Sequence, residues 1–225
     1  MHSSELPREI VERLERRRGR RHIFERLEPA RTALVVIDMQ HSFVAPEAAS
    51  AVPAAREVVP NINRLAAALR AAGGKVAWVQ ATYTREGPGY WPLFFDYMVS
   101  PEVSARILAG LTAGSPGHAL WHELDVRSGD LRVTKNRYSA FFPGASELPD
   151  ILRSQSLDTV LIAGTMTNVC CEASARDAMA SGFKTIVVAD ANAARSEGEH
   201  VASLATMAQF VGDVRTTEEL TGMLR

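Results

Sequence analysis

The sequence predicts one α/β domain built on a doubly wound, mostly parallel sheet of six strands with helices on both faces. Short apolar runs rich in β-branched residues alternate along the chain with stretches of helical spacing, an order typical of strand–helix–strand units. These runs are continuously apolar, as in parallel strands whose two faces are both buried. No repeat or low-complexity linker interrupts the 225 residues, a length that one domain accommodates.

The predicted elements follow in chain order. Strands are expected at residues 33–38, 75–80, 131–135, 159–163 and 184–189, and in a short stretch around Val214. Asp190 is expected to close the fifth strand. Helices are expected at residues 53–72, 146–154 and 173–180, from Ser196 to Phe210 and from Thr217. Gly73 and Gly74 suit the end of the first of these helices, and Ser196 with Glu199 forms a capping-box pattern.

Residues 1–30 differ in composition from the rest and predict an N-terminal helical arm ahead of a domain at residues 31–225. Pro7 suits a helix start, and apolar residues recur on one side of Arg8–Arg18. The run from Arg16 to Arg21 is basic, but four glutamates precede it. This balance favours a solvated helix that packs on the domain or on a neighbouring subunit over a nucleic-acid-binding arm.

Composition narrows the class of protein. The formal net charge is -1, so charge does not indicate a nucleic-acid partner. No apolar run approaches the ~18 residues of a membrane span, and the N-terminus lacks the apolar core of a secretory signal. The two cysteines, Cys170 and Cys171, are adjacent, and neighbouring Cα atoms lie closer (about 3.8 Å) than a disulfide normally spans. We therefore expect a reduced, cytoplasmic protein that binds neither nucleic acid nor membrane.

Three polar residues stand after predicted core strands: Asp38, Lys135 and Cys170. Open parallel sheets keep their active sites at the carboxyl ends of their strands. A cysteine nucleophile needs a base, for which Asp38 is a candidate, and Lys135 could hold a charged partner. This set suits attack on an amide or carbamoyl carbon through an acyl-enzyme.

The cysteine turn itself allows two interpretations. Gly164 and small polar residues join an apolar strand to a helix-like stretch, so Cys170 stands beside the first N–H groups of a helix. Such a position is expected to lower the pKa of a thiol and to receive an oxyanion. The alternative is a small buried cysteine that fills the joint.

Residues 81–125 form a long irregular segment rich in aromatic residues, glycine and proline. Such a segment suits the wall of a small-molecule pocket or, alternatively, a small core that closes one end of the sheet. His118 and His122 would share a helix face, but spacing indicates no third ligand, so a metal is not expected. No dinucleotide or P-loop glycine motif follows the first two strands.

Three separated motifs resemble those of one known family: Val35-Val36-Ile37-Asp38-Met39-Gln40, Lys135-Asn136-Arg137-Tyr138-Ser139-Ala140-Phe141 and Gly164-Thr165-Met166-Thr167-Asn168-Val169-Cys170. On these motifs the chain resembles the cysteine hydrolases of the isochorismatase-like superfamily from about Thr32 to Leu224. The resemblance implies an Asp–Lys–Cys triad at Asp38, Lys135 and Cys170. It also implies a non-proline cis peptide between Thr165 and Met166, with the N–H groups of Met166 and Cys170 as oxyanion hole.

The resemblance is strongest to the ureidoacrylate, biuret and carbamoylsarcosine branch, which implies a small ureido, carbamoyl or other linear amide as substrate. The metal-binding aspartate and histidines of nicotinamidases are missing from the segment Ala81-Thr82-Tyr83-Thr84-Arg85, so neither metal nor other cofactor is expected. Candidate substrate contacts are Gln40, Phe43, Tyr138, Phe142 and Gln209, and each of them also suits a purely structural role. Relatives are commonly oligomers, so a homodimer or homotetramer is expected.

Two other functions fit the same residues. An isochorismatase-type hydrolase would use Asp38 and Lys135 without the cysteine. A non-catalytic interaction protein would use the cysteine pair as a redox-responsive thiol.

Overall fold

The computed structural model describes residues 2–224 and contains one six-stranded sheet. The strands are β1 (Thr32–Ile37), β2 (Lys75–Ala81), β3 (Leu131–Lys135), β4 (Thr159–Thr165), β5 (Lys184–Ala193) and β6 (Asp213–Arg215). All neighbouring strands are parallel, and their order across the sheet is β3-β2-β1-β4-β5-β6. The predicted doubly wound sheet is therefore confirmed.

Helices cover both faces of the sheet, as the continuously apolar strands require. Along β1, Val35 and Ile37 belong to one core, whereas Leu34 and Val36 belong to the core on the opposite face. The helices are α1 (Arg8–Arg18), α2 (His41–Val44), α3 (Val59–Ala71), α4 (Pro101–Leu111), α5 (Leu148–Ser154), α6 (Glu172–Ala180), α7 (Glu197–Phe210) and α8 (Thr217–Met223). The first core is packed by α1, α5, α6 and α7, and the second by α3 and α8.

The N-terminal segment packs on its own domain through α1. Ile10 and Leu14 are buried in the first core, and the Arg18 guanidinium donates a 2.6 Å hydrogen bond to the Ala208 carbonyl on α7. A helix that buries one apolar stripe and keeps its charges in water explains the mixed composition of this segment. The division at residue 30 stays a prediction.

The segment between β2 and β3 is more regular than the sequence indicated. It contains a π-helical turn at Leu93–Met98 and the helix α4. Ser100 caps α4 by accepting a hydrogen bond from the Val103 N–H, and a proline follows as the first helical residue. Aromatic residues of the segment form a small third core with Ala81 and Leu111, and some of them also face a cavity. The segment therefore forms a small core and part of a cavity wall, and binding of a small molecule there stays a prediction.

The strand that was expected to close at Asp190 continues to Ala193. Its pairing with β4 shifts between Ile162 and Gly164, where a bulge interrupts the register. The buried Asn192 side chain donates to the carbonyls of Ile162 and Val188, which supports this irregular stretch. Because β5 is longer than predicted, the segment that joins it to α7 begins at the carboxyl edge of the sheet.

No helix within residues 2–224 is long and apolar enough to cross a membrane.

Candidate active site

Asp38 follows β1 at the point where the strand order reverses between β1 and β4. Its backbone is left-handed, with φ 53°, a conformation that aspartate tolerates better than most residues. The side chain is buried, and its Oδ1 accepts a 3.0 Å hydrogen bond from the Ala81 N–H. The remaining oxygen, Oδ2, is thereby directed towards Lys135, whose Nζ lies 2.8 Å away.

Lys135 ends β3, an edge strand separated from β1 by β2. In the register of the sheet it lies beside Ala81, whose small side chain leaves room for the lysine stem on the same face. The stem is fully buried, and the ammonium also donates a 3.1 Å hydrogen bond to the Arg137 carbonyl. An edge-strand lysine thus reaches across the intervening strand to the Asp38 carboxylate.

Cys170 lies in a π-helical turn, Thr167–Cys171, between β4 and α6. It lines the same cavity as Asp38, and its thiol interacts with both Asp38 and Lys135. The structure therefore brings the three predicted catalytic residues together. Cys171 is fully buried in the first core, and its Sγ contacts the Ala163 carbonyl at 4.0 Å, as expected for a packing residue.

The electrostatics of Cys170 differ from the sequence expectation. Burial raises the pKa of the Cys170 thiol to about 12, and the nearby Lys135 ammonium only partly opposes this rise. Burial also disfavours the charge of Lys135, but the Asp38 carboxylate outweighs it and raises the pKa of the ammonium. Burial therefore outweighs the lowering of the thiol pKa that was expected from the start of the following helix, α6, at Glu172. The resting site is an Asp38–Lys135 ion pair beside a neutral thiol.

This charge state predicts the pH dependence of thiol alkylation. Because the reactive form is the thiolate, the rate at which iodoacetamide modifies Cys170 should rise continuously from pH 6 to pH 10. Mass spectrometry of the peptide that contains Cys170 measures this rate. A plateau that begins between pH 6 and pH 8 would instead show a preformed thiolate and contradict the assignment.

The cavity in front of these residues has a volume of about 580 Å³. Aromatic and aliphatic side chains form most of its wall, a composition typical of small-molecule sites. The charged residues that line it are Asp38, Arg106, Arg195 and Glu199. The apolar and aromatic part of the wall includes Phe43, Tyr83, Phe94, Val99, Val103, Ile107, Leu111, Tyr138, Met166 and Val169.

Two of the five expected substrate contacts, Phe43 and Tyr138, line this cavity. Gln40 does not, because its buried carboxamide is used by the backbone: it accepts from the Ala81 N–H and donates to the carbonyls of Ala81 and His118.

Phe142 and Gln209 also lie outside the cavity lining. The Phe142 side chain is half exposed. Gln209 lies near the end of α7, where its Oε1 accepts from Arg13 of the N-terminal helix and its Nε2 donates to the Ala205 carbonyl. Gln40, Phe142 and Gln209 thus lie outside the cavity lining, and substrate contact by them stays a prediction without support from the structure.

The peptide bond between Thr165 and Met166 is cis, as the resemblance implies. Met166 lines the cavity, and its carbonyl accepts hydrogen bonds from the N–H groups of Val169 and Cys171, which turns the chain back towards the cavity. An oxyanion hole formed by Met166 and Cys170 stays a prediction.

Sequence reasoning missed Arg106, Asn168, Arg195 and Glu199 as cavity residues, whereas Tyr83 belongs to the aromatic segment that was expected to form a pocket wall. Arg195 follows the carboxyl end of β5, so the strand-end rule that selected Asp38 would have selected it had the strand been extended to Ala193. Arg106 lies on α4, which the sequence analysis did not predict.

Among the described residues, no group of three or more histidine, cysteine, aspartate or glutamate side chains could hold a metal ion. His118 and His122 do not share a helix. His118 ends a short 3-10 turn and shares a hydrogen bond with the Thr82 hydroxyl, whereas the His122 ring packs at a tilt against Trp121.

Comparison with known proteins decides the family. The family model described as Isochorismatase domain matches residues 32–219. The chain belongs to the isochorismatase family. The predicted family is thus confirmed, over nearly the same residues as the three motifs indicated.

Named relatives of this isochorismatase-family chain include ureidoacrylate amidohydrolases. The RutB protein of Methylobacterium radiotolerans is 34% identical over 216 residues, which cover 88% of this chain and 82% of that protein. RutB of Pseudomonas syringae pv. syringae is 33% identical, covering 86% of this chain and 84% of that protein. The predicted enzyme class, a hydrolase of carbon–nitrogen bonds outside peptides, is that of these relatives.

A solved structure supports the same placement. The cysteine hydrolase from Pseudomonas syringae pv. phaseolicola 1448A superposes with a TM-score of 0.81 at 31% identity, covering 90% of this chain and 96% of that chain. The isochorismatase-like α/β fold of this chain is therefore shared with a protein described as a cysteine hydrolase.

Proposed function

We propose that this protein is a cysteine-dependent amidohydrolase that cleaves a carbon–nitrogen bond of a small ureido, carbamoyl or other linear amide. The observation that carries the proposal is the buried Asp38–Lys135 ion pair, 2.8 Å long, beside the Cys170 thiol at the wall of one cavity. A buried ion pair is costly to desolvate, and here it supplies a base next to a nucleophile. The similarity to ureidoacrylate amidohydrolases supports the reaction class.

The first half-reaction forms a thioester. The Cys170 sulfur attacks the carbonyl carbon of the substrate while the thiol proton moves to the Asp38 carboxylate. The N–H groups of Met166 and Cys170 donate hydrogen bonds to the negative oxygen of the tetrahedral intermediate. As the carbon–nitrogen bond breaks, Asp38 returns its proton to the leaving nitrogen, which departs as ammonia or an amine. Lys135 remains charged and stabilises whichever partner carries the negative charge.

The second half-reaction restores the enzyme. A water molecule attacks the thioester carbon and gives a proton to Asp38, the carbon–sulfur bond breaks, and the proton passes to the Cys170 sulfur. The products are one acid and one amine or ammonia. The neutral resting thiol suits this cycle, because the proton needed by the leaving group is the one that Cys170 supplies.

The cavity supports a small amide that carries both apolar and charged groups. Its apolar wall suits the body of such a substrate, and the side chains of Arg106, Arg195 and Glu199 place charges on the same wall. Tyr83 is buried beside the triad, where burial raises the pKa of its phenol, so it stays neutral and contributes a polar hydroxyl.

The decisive experiment is a panel of ureido acids, carbamoyl compounds and simple linear amides assayed for ammonia release. Rapid quenching followed by intact-mass measurement should detect the acyl group on the protein, and peptide mapping should locate it on Cys170. Turnover of a vinyl ether without any acyl adduct would favour the cysteine-independent alternative. Oxidation of the cysteines with no turnover of any compound would favour the redox interaction protein.

We further propose that the protein forms a homodimer or homotetramer in a reducing, cytoplasmic environment. Both cysteines are free, and apolar side chains at Leu93, Tyr97, Met98 and Phe210 are more than half exposed, a pattern typical of interaction surfaces. Light scattering coupled to size-exclusion chromatography should give a mass of two or four times 24.5 kDa. A mass of a single chain at micromolar concentration would contradict this prediction.

A further inference from the structure

Helix α7 presents two buried polar side chains to the segment that carries the nucleophile, residues 165–171, here called the nucleophile loop. His200 is fully buried and Ser203 is 4% exposed. They are three residues apart and therefore lie on one face of the helix. Polar side chains are rarely buried without hydrogen-bond partners, so the partners of these two indicate what they do.

Both side chains bind Thr167, which precedes Cys170 by three residues. A 2.8 Å hydrogen bond joins the Thr167 hydroxyl to His200 Nδ1. The Ser203 hydroxyl lies 3.2 Å from the Thr167 carbonyl and 2.5 Å from a carboxylate oxygen of Glu172. Helix α7 is therefore hydrogen-bonded to the chain on both sides of the nucleophile, at Thr167 within the loop and at Glu172 directly after it.

His200 itself is outside the cavity lining and touches none of the triad side chains. Burial, with a smaller contribution from the His2 ring, whose centroid lies 5.1 Å away, lowers its pKa to about 4. The imidazole is thus neutral at neutral pH and forms an uncharged hydrogen bond. This excludes His200 as a charged participant in the reaction and leaves a geometric role.

We propose that His200 is a positioning residue: by holding Thr167, it sets the direction of the Cys170 sulfur and of the Met166 and Cys170 N–H groups. The inference rests on the proposed function and adds to it a residue 30 positions along the chain from the nucleophile. Nucleophilic attack requires close alignment, and a displacement of about 1 Å can cost roughly 100-fold in rate. Within the loop the Thr167 carbonyl accepts a hydrogen bond from the Glu172 N–H, whereas the Thr167 hydroxyl is bonded to His200.

The test compares His200→Phe, which keeps a ring but loses the hydrogen bond, with Thr167→Val, which loses the same bond from the other side. We expect each to lower kcat for amide hydrolysis roughly 10- to 100-fold with KM changed less than about twofold. The kcat of the double variant should lie within about twofold of that of either single variant, because all three variants lose the same hydrogen bond. His200→Asn, whose amide lies near the Nδ1 position, should recover about tenfold over His200→Phe.

Thr185→Val is the matched control, because it removes another buried threonine hydrogen bond, to the Phe183 carbonyl, away from the cavity. It should lower the melting temperature without changing kcat. If His200→Phe likewise lowers the melting temperature without changing kcat, the role of His200 is purely structural and the proposal is overturned. If His200→Phe does not fold, an unchanged kcat in Thr167→Val overturns it equally, whereas a loss in Thr167→Val that Thr167→Ser restores upholds it. Activity that survives Cys170→Ala would instead defeat the proposed function.

Discussion

Replacing Cys170 by alanine is expected to lower kcat/KM for amide hydrolysis by at least about 10⁴-fold. The substitution removes the atom that forms the thioester, while Asp38 and Lys135 retain their 2.8 Å ion pair. Cys170 is only partly buried, so its loss should change the stability of the fold only slightly and the drop in kcat/KM measures the loss of the chemical step. Steady-state ammonia release, with intact-mass measurement of the acyl adduct, checks both parts of the expectation.

Cys171→Ala is the matched control, because Cys171 is the adjacent thiol and is fully buried with its sulfur against the Ala163 carbonyl. It should retain activity within about threefold and still form the acyl adduct, at a modest cost in stability. Equal losses in both variants would contradict the assignment of Cys170 as nucleophile. Full activity in Cys170→Ala would favour a hydrolase that uses Asp38 and Lys135 alone.

Replacing Lys135 by methionine is expected to abolish measurable turnover and to destabilise the protein by about 3–5 kcal/mol. The methionine fills the volume of the lysine stem but leaves the Asp38 carboxylate buried without its cation. Urea denaturation gives the free energy of unfolding, and the amide assay gives the loss of activity. The effect on stability should be much smaller in Lys184→Met, because the Lys184 ammonium is more than half exposed and 3.5 Å from Asp158.

The double variant Asp38→Asn with Lys135→Met separates stability from catalysis. With both charges removed, the unpaired buried carboxylate is absent, and most of the lost stability should return. Activity should not return, since the base and its cation are both gone. Recovery of turnover in the double variant would contradict the roles proposed for both residues.

Much of the fold was predictable because a parallel sheet constrains its sequence strongly. Strands buried on two faces must be apolar along their length, so β1, β2, β4 and the first part of β5 were visible as runs. The carboxyl ends of such strands share one edge, and this rule selected Asp38, Lys135 and Cys170 without coordinates. The helix α4 escaped because it lies in an aromatic segment whose apolar residues serve both a small core and the cavity wall.

Side chains that combine two uses were the hardest to assign. Gln40 has an amide suited to a substrate, yet the backbone of Ala81 and His118 uses it. Gln209 lies on α7, which the sequence predicted, and Phe142 lies in the connection between β3 and α5, but both side chains are outside the cavity lining. The hydrogen bond between His200 and Thr167 joins residues 33 positions apart, so no local sequence pattern could predict it.

The sequence by itself determined the fold class, the family and the three residues that meet at the carboxyl edge of the sheet, because periodicity and strand ends are local properties of the chain. Only the tertiary structure decided how an edge-strand lysine reaches Asp38, which side chains line the cavity, and that the thiol of Cys170 is neutral. The physical reason is that burial and charge depend on neighbours distant in sequence. The Cys170 environment is made by Asp38 and Lys135, which approach it only when β1, β3 and β4 lie in one sheet.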